Sequence, residues 1–161
     1  MSHDTAGVRQ AAPAIVVGVV CIVGGGLVAA VTAPSPTEHG TWAAAYLVLV
    51  AGVSQVGLAV GQALLAAPPP AARTRVAELV TWNVGNAAVL TGTLTGTVWI
   101  VDLGGALLVA ALALVVVTVH RHPVQEVGRS QALARRAFQL LVLLLLVSIP
   151  IGLWLGRHPG S

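Results

Sequence analysis

The chain has 161 residues, of which 57% are hydrophobic and 8% charged; its mean hydropathy is +0.91 and its formal net charge +3. Soluble domains carry roughly a quarter charged residues, so this composition excludes an ordinary soluble fold and points to a membrane protein. All eight basic residues are Arg. With so few of them, the pI near 10.5 reflects topology markers rather than a nucleic-acid footprint, and no nucleic-acid partner is expected.

A spanning helix needs about 20 predominantly apolar residues. Five stretches meet that requirement, at approximately 12–33, 42–66, 76–93, 97–119 and 137–155. The first, "APAIVVGVVCIVGGGLVAAVTA", closes at "PSP". A secretory signal peptide is the rival reading, but the apolar run is long for one and proline would follow the cut, so an uncleaved helix is expected. The second begins at Trp42 and stops at Pro68–Pro70, which cannot continue a helix. From Val76 to Val119 a single helix would run roughly 66 Å, about twice the hydrocarbon core, so it must fold back. The hinge is "TGTLTGT", Thr91 to Thr97. The segment "HRHPVQEVGRSQALARR" is linker-like, its second half an interfacial helix leading into the fifth span, which Pro150 kinks.

With five spans, Arg9, Arg73, Arg75, Arg121, Arg129, Arg135 and Arg136 share one side and Arg157 alone takes the other. That asymmetry predicts a cytoplasmic N-terminus and an external C-terminus. Trp42, Trp99 and Trp154 then form an aromatic belt at the outer face. The expected architecture is all-α: a polytopic integral membrane protein with five transmembrane helices in one bundle, forming one domain over 1–161. The surroundings are a lipid bilayer. The lack of Lys in a chain rich in Ala, Val, Leu and Gly points to a GC-rich bacterial genome and so to the inner (plasma) membrane.

The one unusually polar stretch is "ELVTWNVGN", Glu78 to Asn86. Projected on a helix, Glu78, Thr81, Trp82, Gly85 and Asn86 converge on one broad face, with Asn83 at its edge and Ala77, Val80, Val84 and Ala87 opposite. The second span answers with Gln55 and Gln62, seven residues apart and nearly eclipsed. An antiparallel arrangement puts Gln55 near the depth of Asn86, and Gln62 near Trp82 or Glu78. Gly57 and Gly61 form a GxxxG pattern on another face, suited to a neighbouring helix or a second protomer. Asp102 lies roughly 8 Å below the outer end of the fourth span, on a face carrying Gly105, Ala106, Val109, Ala110 and Ala113. Gln55, Gln62, Glu78, Trp82, Asn83, Asn86 and Asp102 are thus the intramembrane polar set, read either as hydrogen-bonding glue between helices or as the wall of a small cavity.

No established chemical motif accompanies them. No GxSxG, HExxH or Walker pattern is present. His120 and His122 lack an evident third metal ligand, and "GGG" at Gly24–Gly26 is too deep in the membrane to be a phosphate loop. The single Cys21 sits in an apolar run, where a packed thiol is expected. No catalytic residue, metal site or cofactor is indicated. The leading expectation is a non-enzymatic membrane protein acting through intramembrane helix contacts, as a homo-oligomer or an accessory subunit. A small-solute or proton transporter using the polar face and Asp102 is the first alternative, and a membrane redox or metal-binding protein the second.

Overall fold

The computed structural model describes residues 2–121 and 128–157, the side chains of residues 2–6, 8 and 150–157 excepted. Every element within them is helical: α1 (Ser2–Thr32), α2 (Glu38–Tyr46), a π-helical segment (Leu47–Val53), α3 (Ser54–Leu65), α4 (Ala72–Thr95), α5 (Val98–Arg121) and α6 (Arg129–Arg157). The α2, π and α3 segments form one continuous rod, Glu38–Leu65. His122, His158 and the side chains of Pro150 and Trp154 lie outside the described residues.

Local chemistry explains where the helices begin and end. Thr37 caps α2, its hydroxyl accepting the Gly40 N–H at 3.1 Å. At the far end of α4, Gly96 adopts a left-handed conformation (φ 66°) that a side chain would strain. The Thr97 N–H then closes on the Gly92 carbonyl at 2.8 Å, so the chain reverses within "TGTLTGT" at Gly96–Thr97. Helix α6 starts at Arg129 and is continuous through the stretch expected as a separate interfacial helix.

The count of spans is corrected. Among the described residues four segments, not five, are long and apolar enough to cross a membrane: Arg9–Thr32, Glu38–Leu65, Val98–Arg121 and Arg129–Ile149. The helix expected as the third span, α4, is long enough but not apolar enough. Arg73, Arg75, Glu78, Asn83, Asn86 and several threonines hold its hydropathy down. The five-span bundle falls on this criterion, and with it the cytoplasmic-N, external-C assignment, which rested on five crossings. What stands is an all-α, multi-pass membrane protein in which α4 is a polar helix held mainly by α5.

Two glycine crossings set the helix spacing. A Cβ on Gly18 would meet the Gly52 carbonyl oxygen at 3.0 Å, and one on Gly52 would meet that of Gly18 at 2.9 Å. Helix α1 and the π segment therefore touch backbone to backbone. Gly85 of α4 and Gly104 of α5 repeat the arrangement: a Cβ added to each would lie 3.1 and 2.7 Å from the other's carbonyl oxygen. Such close approach is how apolar helices associate where lipid offers no hydrophobic driving force. The GxxxG pair of α3 is occupied inside the chain, Gly57 against Leu141 and Gly61 against Phe138 of α6. The core gathers Leu58, Leu65, Trp82, Leu108, Leu112, Val115, Phe138 and Leu145 between α3, α4, α5 and α6.

Candidate functional site: a cavity between α1 and α4

Several contacts gather one set of helix ends. Gly7 of α1 packs on the Ala63 backbone of α3. Gln62 of α3 and Thr118 of α5 both bond Glu78 of α4. Arg9, Arg73, Arg75 and Arg121 thereby collect at one end of the bundle, where α4 and α5 pack intimately but α1 and α4 barely touch. The gap is a cavity of about 350 Å³, lined by α1 and α4, with α3 behind them and Ala111 and Val115 of α5 below. Exposed Arg9, Pro69, Ala72 and Val76 mark its mouth.

Glu78 is the best-held group on the wall. It is 7% exposed; Gln62 Nε2 donates to both of its carboxylate oxygens at 3.1 Å, and Thr118 Oγ1 donates to Oε1 at 3.1 Å. Burial works against the carboxylate's charge, while the amide, the hydroxyl and the nearby Arg75 guanidinium favour it. Arg75 does not bond Glu78 directly. Its Nη1 donates to Gln10 Oε1 and, at 2.9 Å, to the Pro70 carbonyl, closing the gap between α1 and α4 at one point. Nor does Glu78 turn toward the water at the helix end, as a snorkelling carboxylate would; it faces inward.

The polar set expected from sequence separates into two groups. Gln55, Gln62, Glu78 and Trp82 line the cavity, whereas Asn83, Asn86 and Asp102 do not. Gln62 meets Glu78. Gln55 bonds α1 rather than Asn86, its Nε2 donating to the Ala14 carbonyl at 3.1 Å. Asn86 and Asn83 bond within their own helix, to the Trp82 carbonyl at 2.9 Å and the Leu79 carbonyl at 2.8 Å. Asp102 is half-buried near the start of α5, sixteen residues or roughly 24 Å along that helix from Thr118, so it belongs to the other end. Gln10 and Thr118 are wall or support residues that hydropathy does not single out, since each is one polar residue in an apolar neighbourhood. Arg75 is visible only as a charge at a helix end.

The rest of the polar inventory is dispersed. Among the described residues, no group of three or more His, Cys, Asp or Glu side chains is placed to hold a metal ion. His120 Nδ1 lies 2.8 Å from the Val116 carbonyl at the exposed C-terminal end of α5. Trp42 stacks on Tyr46 with centroids 5.0 Å apart, and Trp99 is exposed at the start of α5. Compared with protein-family models, with characterised proteins and with solved structures, the chain matches none.

Proposed function

We propose that this multi-pass membrane protein is a non-enzymatic binding protein whose ligand enters the cavity between α1 and α4. One observation supports the reading above all: polar groups from three helices, Gln10, Gln55, Gln62, Glu78 and Trp82, meet around a space with otherwise apolar walls. Ligand sites have this character, and volumes of about 300–1,000 Å³ are usual for them. Uptake of a solute from this end is the transport-like form of the same function. The absence of lysine in this Ala- and Val-rich chain supports a bacterial inner membrane as its location. Substituting Phe for Ala59, which lines the cavity, fills it. Organic extracts of the wild-type protein, purified in mild detergent, then contain a small molecule that extracts of Ala59→Phe lack; identical extracts contradict the proposal.

A second reading, association with another helix, rests on the outward side of α5. There Ala106, Ala110 and Ala113 are exposed at helical spacing beside Val109 and Val117, and small residues at such spacing let helices approach closely. Since α6 already covers Gly57 and Gly61, this stripe is a surface open to self-association or to a partner subunit. A cysteine at Ala110, in a Cys21→Ala background, crosslinks two copies in native membranes on this reading. Monomer alone, with neither a self-crosslink nor a second protein attached, counts against it.

A further inference from the structure

Two side chains on the cavity wall are almost wholly buried and yet keep a polar atom without a partner. They are Gln55 and Trp82, each 4% exposed, with Oε1 of the first and Nε1 of the second unpaired. One is an acceptor and the other a donor. Of the charged groups on the wall, Glu78 is engaged by Gln62 and Thr118, and Arg75 by Gln10 and Pro70, while Arg9 lies exposed at the mouth. The inner part of the cavity, amid Ala11, Ala14, Leu58 and Ala59, is left with a neutral acceptor and a neutral donor. Unpaired polar atoms at such burial are uncommon in native folds, because each forfeits its bonds to water without replacement.

Their relative depth follows from the register. The Gln62–Glu78 bond fixes α3 against α4, which run antiparallel. Counting inward from that level, Trp82 lies about one turn deeper on α4 and Gln55 about two turns deeper on α3, a difference of roughly 4.5 Å. A single hydroxyl both donates and accepts, so its chemistry complements Gln55 Oε1 and Trp82 Nε1 together. A carboxylate offers Gln55 Oε1 no donor and an ammonium offers Trp82 Nε1 no acceptor, so neither complements both atoms. Helices α1 and α4 barely touch, and exposed Val76 borders the cavity between them. An apolar chain attached to the hydroxyl then passes from the cavity into the bilayer.

From this geometry we infer that the cavity binds an uncharged amphiphile with a hydroxyl head, of the long-chain alcohol class, its head between Gln55 and Trp82 and its tail leaving between α1 and α4. The inference rests on the cavity being the ligand site proposed above. Its volume of about 350 Å³ holds the head and the first part of the chain.

The test photolabels the full-length protein in lipid nanodiscs with diazirine-bearing dodecanol, and in parallel with the matching dodecanoate and dodecylammonium. The expected result is saturable labelling by the alcohol within residues 7–14, 55–63 and 72–82, displaced by plain dodecanol but not by dodecane. Gln55→Leu and Trp82→Phe then each raise the concentration of plain dodecanol needed for displacement by about three- to tenfold, the worth of one hydrogen bond. If Gln55→Leu fails to fold through loss of its bond to Ala14, Trp82→Phe, which keeps the ring in place, carries the affinity comparison. Stronger labelling of these walls by the carboxylate or the ammonium overturns the hydroxyl class while leaving the cavity a ligand site. Labelling by all three confined to the outward faces of α1 and α6 overturns both.

Discussion

The two halves of this bundle place small and polar residues under opposite conditions. In the half beyond the arginine-rich end, Gly18 meets Gly52 and Gly85 meets Gly104, backbone on backbone. At the arginine-rich end, α1 and α4 stand apart, and amides, a carboxylate and a guanidinium occupy the space that glycine contacts close elsewhere. The contrast shows what decides between glue and pocket. A polar side chain acts as glue where a partner is within reach, as Gln62 and Thr118 are for Glu78. It becomes a cavity wall where the facing helix is held away, as α1 is from Trp82.

The comparison breaks most sharply at its tight side. A methyl group on Gly104 would sit 2.7 Å from both the Gly85 carbonyl oxygen and the Val89 backbone nitrogen, which cannot yield as a side chain can. Gly104→Ala is expected to destabilise the protein by about 1–3 kcal/mol in thermal unfolding in detergent. Gly24→Ala is its control: nothing lies within 4 Å of the added carbon, so stability holds or rises by up to about 1 kcal/mol from helix propensity.

At the open end the effects are smaller and depend on which partner is stranded. Glu78→Leu leaves the half-buried Gln62 amide without its acceptor, and a loss of about 1–2 kcal/mol is expected. Glu78→Gln retains a carbonyl to accept it and should lose less in the same melt. Gln55→Leu is the mildest: it removes the bond to Ala14 together with the unpaired Oε1. These opposing changes leave stability within about 0.5 kcal/mol. A melt lowered as far as that of Glu78→Leu would mean that Gln55 is glue, and the distinction between the halves would blur.

Much of this is legible in the sequence, for identifiable reasons. Proline and glycine punctuation locates the breaks at "PSP", "PPP" and "TGTLTGT", because those residues act locally. The inward stripe of α4 is legible for the same reason: Glu78, Trp82, Gly85 and Asn86 share a helical face and all four are buried. Hydropathy, by contrast, averages over faces. Helix α4 has an exposed apolar side of Val76, Val80 and Val84 and a polar interior, so reading it as one more span overstates its hydropathy. Helix order is not a local property at all. That Gln55 turns to Ala14 of α1 rather than to Asn86, and that Gln10 receives Arg75, depends on which helices are neighbours. The π segment at Leu47–Val53 has no evident signal either; its consequence, Gly52 set against Gly18, is visible only in the fold.

The account's central claim is that the bundle is open between α1 and α4 and sealed where the rod crosses α1. Thiol accessibility in reconstituted membranes measures both at once, with single cysteines in a Cys21→Ala background. One replaces Ala59 on the cavity wall, and the other replaces Ala51, 2% exposed in the π segment. The account predicts rapid modification of the residue-59 thiol by a small methanethiosulfonate reagent and none at residue 51 on the same timescale. Equal protection of both thiols, or equal reaction, would contradict it.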